Sequence, residues 1–175
     1  YAGDAHTVAP LTDDVATIEV LLPALHPAIM PIAGSNAEAA VALAQQLLHD
    51  GGTASGRIIM LTDGVAKQAS EAITRELSSA HSLSILGIGS MDPVPIPNES
   101  GGFVRDASGA IVLVDIDRPA LRTLAQRQNG RFVDIQTDES DIVALTSGQG
   151  QITDTAESIL VYDSWEDVGY WIVLL

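Results

Sequence analysis

Two short stretches place oxygen ligands where chemistry could be done. In "GRIIMLTDGVAK", Gly56 to Lys67, four apolar residues and a threonine run straight into Asp63 and Gly64. A carboxylate at the carboxyl tip of a buried strand faces the edge where parallel α/β sheets hold their ligands. Asp63 has two readings: it caps the helix that follows, or it ligates an incoming group. In "AGSNAEAA", Ser35 and Glu38 spell an S-x-x-E capping box ahead of an apolar helix, so Ser35 also has a structural reading. Their order suggests more. A hydroxyl ends one loop, a helix of ordinary length follows, and an aspartate ends the next strand. In a βαβ arrangement those loops are neighbours, and hydroxyl and carboxylate oxygens are the donors a hard divalent cation takes.

Enzyme chemistry has less support. "IVLVDIDRP" resembles the D-x-D start of haloacid dehalogenase-type phosphatases, with Asp115 and Asp117 as the pair. Pro119 stands at the fourth position, and no lysine follows to steady a phosphoryl group. Asp117 reads better as a helix cap ahead of Pro119. "GIGSMD" is an incomplete dinucleotide fingerprint, because Asp92 replaces its third glycine and would repel a pyrophosphate. His6, His26, His49 and His81 form no metal-binding pair, and no nucleophile elbow or P-loop occurs. His49 and His81 are expected at helix C-termini, where the dipole suffices to explain them. The expectation is a protein that is not an enzyme, with a metal-dependent phosphatase and a purely structural acidic domain as alternatives.

The formal net charge is −15, with Lys67 the single lysine among eight basic residues. Such a chain cannot neutralise a phosphate backbone, which excludes nucleic acid as a partner. Cysteine is absent, so disulfides and thiolate metal sites are excluded too. Hydrophobic residues make up 46% of the 175 but aromatics only 4%, so aliphatic side chains must build the core of one domain.

The elements that must position Ser35 and Asp63 follow from periodicity. "YAGDAHTVAPLTDD" begins with the tail of a strand, then a short helix follows Asp13 and Asp14 until Pro23 disturbs it. Ala37, Ala40, Val41, Ala44, Leu47 and Leu48 lie on one helical face, stopped by Gly51 and Gly52. "RIIMLT" reads as a strand buried on both sides. "AKQASEAITRELSSAH" reads as a helix through Ala69, Ala72, Ile73, Leu77 and Ala80, and "SLSILGIG" as another buried strand. After a proline-rich loop, "FVRDASGAIVLVD" is a hairpin turning at Asp106 to Gly109. A helix starts at Asp117 or Arg118 and ends before Gly130, and "RFVDI" is a last strand. Alternation of this kind predicts an α/β fold: a doubly wound, mostly parallel, Rossmann-like sheet with helices on both faces and an inserted β-hairpin.

Taken in order, "YAGDAHTVAPLTDD", "GSNAEAAVALA", "IIMLTDG", "ILGIGS", "GGFVRDASGAIVLVD" and "DSWEDVGYWIVLL" resemble the von Willebrand factor type A domain of bacterial Bat-type, aerotolerance-associated membrane proteins. The resemblance implies a metal-ion-dependent adhesion site holding Mg²⁺ or Mn²⁺, completed by an acidic residue of a protein partner. It assigns Ser35 to the second-loop hydroxyl and Asp63 to the third-loop aspartate, with Gly34, Asn36, Thr62 and Gly64 shaping the loops. The first motif of that site, D-x-S-x-S, occurs nowhere in this sequence. Its implied place is upstream of Tyr1, so the domain is expected to be N-terminally truncated and to bind metal poorly. A MoxR-type AAA+ ATPase system or other Bat proteins are the partners the resemblance suggests.

The expected organisation is a domain over residues 1–147, an acidic juxtamembrane segment over 148–167 and the start of a transmembrane helix over 168–175. After Arg131 there is no basic residue, and nine acids precede or accompany the approach to "VGYWIVLL". Tyr170 and Trp171 stand where an interfacial aromatic belt would be. These features lead to an expected place in the bacterial inner membrane, with the domain facing the periplasm.

Overall fold

The structure, a computed structural model, describes residues 1–90, 92–98 and 101–147. The acidic segment 148–167 and the terminal run 168–175 lie outside the described residues. Asp14 caps helix α1 (Val15–Leu21) by accepting from the Thr17 amide, and Pro23 turns the chain into a 3₁₀ turn at Leu22–Ala24. Helix α2 (Ala37–Asp50) ends at Gly51, and Gly52 takes a φ of 71°. Strand β1 (Arg57–Thr62), helix α3 (Lys67–Glu76) and strand β2 (Ser82–Gly87) follow.

The chain then leaves the sheet through four short strands, β3 (Val94–Pro95), β4 (Pro97–Asn98), β5 (Gly102–Phe103) and β6 (Leu113–Val114). It returns through helix α4 (Arg118–Arg127), strand β7 (Phe132–Asp134) and helix α5 (Ser140–Thr146). The main sheet has the order β1-β2-β7, and both pairings are parallel. Arg57 pairs with Ser82 and Thr62 with Gly87, so β1 and β2 end level with one another. Helices α3 and α4 make the crossovers, giving the expected α/β architecture of a parallel sheet flanked by helices.

Aliphatic packing drives this assembly. Ile58 and Met60 of β1, Leu83 and Ile85 of β2, Ile73 and Leu77, Ala37 and Val41, and Leu121 and Leu124 form one buried cluster. Burial of each large side chain is worth about 1.5–3 kcal/mol. Gly130 is needed where α4 passes under the sheet: a Cβ there would lie 1.9 Å from the Leu83 carbonyl oxygen. The left-handed turn itself belongs to Asn129, at φ 55°.

The excursion between β2 and α4 contains the predicted hairpin. Asp106 and Gly109 close its turn, and Arg105 bridges Ile111. Its three extended runs also close on themselves. The Ile96 amide donates to Val112, Val112 to Val104, and Val104 to Ile96, each bond ending on a carbonyl.

Several expectations need correction. Strand β1 is not buried on both faces: Ile58, Met60 and Thr62 point into the core, while Ile59 and Leu61 are 41% and 54% exposed. The physical reason is that the described helices pack over the face of Ile58 and Met60, and no described element covers the face of Ile59 and Leu61. Tyr1 to Asp4 form no strand; they run along the Ile32–Asn36 loop, with Gly3 donating to the Ile32 carbonyl and Asn36 to that of Ala2. Helix α3 stops at Glu76 because Leu77 turns extended, at ψ 122°. Ala80 is therefore outside it, and His81 is no helix-terminal residue but lies buried at the entrance to β2.

Candidate functional site

At the carboxyl edge of β1, Tyr1, Gly34, Ser35, Leu61, Thr62, Asp63 and Ile88 line an open cleft of about 570 Å³. Ser35 and Asp63, separated by α2 and β1 in sequence, thus share one opening. Asn36 and Gly64 flank it without lining it.

The capping readings separate here. The cap of α2 is Asn36, whose side chain accepts from the Ala39 amide at 3.0 Å. The expected Ser35–Glu38 capping box does not form, because the helix begins one residue later than that box requires. Asn36 is also fixed from the other side, its Nδ2 donating to the Gly3 carbonyl at 3.4 Å. Gly34 has a φ of 137°, and a Cβ on it would approach the Gly3 Cα to 3.3 Å. Close contact with the Tyr1–Asp4 run and a backbone turn that few side chains tolerate both favour glycine there. The result is a Ser35 hydroxyl turned loose from the helix it precedes.

Asp63 is equally free of helix duty. Helix α3 starts at Lys67, four residues on, and its N-cap Ala66 offers no side-chain bond. Among the described residues neither Ser35 nor Asp63 has a hydrogen-bond or ion-pair partner for its side chain. Both are exposed. The turn that presents Asp63 is built by Thr62, which is 5% exposed. Its Oγ1 donates to the Gly64 carbonyl at 2.8 Å, accepts from the Gly64 amide at 3.2 Å and accepts from the Tyr1 hydroxyl at 2.8 Å. Gly64 acts through its backbone; it has no positive φ, and space is open where a side chain would go.

The third wall comes from β2. The Ile88 amide donates to the Thr62 carbonyl at 2.9 Å, carrying the parallel ladder one step past the strand end. Sequence reasoning missed Ile88, Leu61 and Tyr1 as lining residues. The level ends of two parallel strands could have pointed to Ile88, which directly follows β2. No local pattern points to Tyr1, whose bond to Thr62 joins residues 61 apart in sequence.

The donor chemistry fits a hard cation, and the donor number is small. A hydroxyl and a carboxylate oxygen in an open cleft leave most of an octahedron to water or to a partner. Among the described residues no group of three or more histidines, aspartates and glutamates gathers.

Asp115 and Asp117 are elsewhere. Asp117 caps α4, accepting from the Ala120 amide at 2.9 Å, as its sequence context indicated. Asp115 lies 3.4 Å from Arg118. A second cleft of about 520 Å³ between α3 and α4 is lined by Lys67, Glu71, Asp117 and Arg127, charges of both signs.

No family model matches the sequence, and no curated protein does. Solved structures do. An aerotolerance-related membrane protein from Bacteroides fragilis NCTC 9343, in a form with multiple mutations to serine, is 26% identical with a TM-score of 0.68. The match covers 83% of this chain and 73% of that one. BatB from Bacteroides thetaiotaomicron, described as a conserved hypothetical protein, is 26% identical with a TM-score of 0.63, over 82% of this chain and 72% of that one. With its parallel sheet and the cleft at the sheet's carboxyl edge, the chain is similar in fold and in sequence to Bat-type, aerotolerance-related proteins.

Proposed function

We propose that this chain is part of a von Willebrand factor type A-like, metal-ion-dependent protein-binding module of a membrane-anchored Bat-type protein. The observation that carries the reading is the pairing of Ser35 and Asp63 in one cleft, each without a capping or ion-pairing task. A strand-end carboxylate with no structural partner is a group kept for something that arrives. Mg²⁺ or Mn²⁺ would be held by these oxygens and by water, and a partner's carboxylate would take a remaining position. Other Bat proteins or a MoxR-type AAA+ ATPase system are the proposed partners.

Membrane association is supported by the description of the Bacteroides fragilis protein as a membrane protein. No helix among the described residues is long and apolar enough to cross a membrane. The proposed anchor is the run from Val168, with the domain on the periplasmic side of the inner membrane. Protease added to spheroplasts should digest such a domain; protection until the membrane is lysed overturns the orientation.

The site is tested with Mn²⁺ as a paramagnetic probe on the ¹⁵N-labelled chain. Broadening should centre on the amides of Ser35 and Asp63 and vanish in Asp63→Ala. Broadening spread evenly over the acidic surface, or centred on Asp115 and Asp117, overturns the assignment. The latter pattern, with release of phosphate from an aryl phosphate, would favour the phosphatase reading.

A further inference from the structure

We propose that Arg118 is a positioning residue for the candidate site, holding its Ile88 wall in place through the backbone of Ser90. The inference rests on the reading of the Ser35–Asp63 cleft as the functional site. Its structural half stands on the contacts alone.

Beyond Gly87 the chain leaves β2, and Ile88, Gly89 and Ser90 are all exposed. Exposed backbone outside a ladder opens easily, so its place depends on whatever fastens it. One fastening is the Ile88 amide on Thr62. The other is Arg118, whose Nη2 donates to the Ser90 carbonyl at 2.7 Å. Ile88 is therefore strung between the Asp63-bearing turn and a guanidinium.

That guanidinium is itself well anchored. Its Nε donates to Asp134 Oδ1 at 2.7 Å, with the two side chains only 17% and 20% exposed. Its Nη1 reaches Asp115 at 3.4 Å. Asp134 ends β7, which is hydrogen-bonded to β2, so the anchor belongs to the sheet. Ser90 and Asp115 are the two feet of the β3–β6 excursion. One side chain therefore ties both feet to the end of the third strand. Planar, multi-donor geometry suits this task, and a lysine offers a single ammonium instead.

For the cleft, the consequence is a fixed apolar wall. Ile88 lines the same cleft as Asp63, so its position helps set the room left for an incoming group. Freed from Arg118, Ile88 would keep its amide bond to Thr62 but lose the fastening two residues on, and the wall would open more often.

The test uses the full 175-residue chain, labelled with ¹⁵N, as wild type, Arg118→Gln and Arg118→Lys. Amide hydrogen exchange is read at Ile88, with Leu83 and Ile85 as core references, followed by Mn²⁺ broadening. In Arg118→Gln, exchange at Ile88 should rise by about ten-fold or more while the core references stay unchanged. Broadening at Asp63 should persist and that at Ile88 should fall. Arg118→Lys should recover part of the protection. Unchanged exchange at Ile88 in both variants, or a rise shared equally by Leu83 and Ile85, overturns the proposal. If Arg118→Gln does not fold, Arg118→Lys decides it by the same comparison. Mn²⁺ that broadens neither Ser35 nor Asp63 in the wild type defeats the metal reading, while exchange at Ile88 still decides the role of Arg118.

Discussion

The hydroxyl of Tyr1 donates to Oγ1 of Thr62 across 2.8 Å, joining the first residue of the chain to the last residue of β1. Thr62 uses the same oxygen to bind both backbone groups of Gly64. The bond therefore steadies the turn that presents Asp63 as well as the run from Tyr1 to Asp4. Tyr1→Phe keeps the ring and deletes the donor. It should cost about 0.5–1.5 kcal/mol, the usual worth of a neutral hydrogen bond. The measurement is the shift of the urea midpoint at constant m; no shift would mean that Thr62 needs only Gly64.

Three substitutions at the site separate binding from capping. Asn36→Ala removes the cap of α2 and should cost about 0.5–2 kcal/mol. Asp63→Ala and Ser35→Ala remove exposed side chains that cap nothing, so each should stay within about 0.5 kcal/mol of wild type. Asp63→Ala should nevertheless abolish Mn²⁺ broadening at the cleft, and Ser35→Ala should weaken it. Chemical denaturation and the paramagnetic experiment, run on the same samples, check the contrast. A large stability loss in Ser35→Ala would restore the capping box.

Mg²⁺ should bind residues 1–175 poorly. Ser35 and Asp63 offer few oxygens against the reluctance of Mg²⁺ to shed water. Titration calorimetry should show no tight, saturable site. A tight one would mean that further donors reach the cleft.

Gly130→Ala should be among the most damaging small changes at the edge of the core. The added methyl would meet the Leu83 carbonyl at 1.9 Å, a backbone atom that cannot swing aside. Overpacking of this kind costs about 1–3 kcal/mol or more. The thermal midpoint of the variant reads it directly.

Asp106 gives the hairpin turn a pH dependence. Its carboxyl is held below the ordinary aspartate range, first by the Ser108 hydroxyl and then by the Ser108 and Ala110 amides. A lowered folded-state value means that this contribution is present above the unfolded value and is lost as pH falls through the folded one. Carboxyl ¹³C NMR should place the midpoint below the usual range, with the Ala110 amide shift following it. Ser108→Ala should raise that midpoint; an unmoved midpoint would remove the hydroxyl as the leading cause.

What could be read from the sequence was what local chemistry decides. Asp117 before Pro119 is a pattern that favours a helix start, and the Asp106–Gly109 turn follows from its own side chains. The pairing of Ser35 with Asp63 in one cleft was expected from a βαβ topology, yet among the described residues no strand precedes α2, and the Ser35 loop stands at the edge of β1 beside the Tyr1–Asp4 run instead. Ser35 against Asn36 as the cap was not legible. Both side chains can accept from the first amides, and the choice is made by Gly3, which the chain brings from far away. The end of α3 was misread for a related reason: Leu77 fits the helical period, yet its side chain reaches the same core from an extended backbone. The bare face of β1 is a property of what packs over the sheet, and the residues "RIIMLT" contain no record of it.

The three-way exchange of bonds among Ile96, Val104 and Val112 has a consequence for the order of folding. Its partners are close in sequence, so closing it costs little chain entropy, whereas β2 must wait for β7 across the whole excursion and α4. The excursion can thus collapse early and shorten the effective loop that separates the two parallel strands. An insertion that looks like an interruption of the sheet would then act, during folding, as the piece that brings the sheet's last strand within reach.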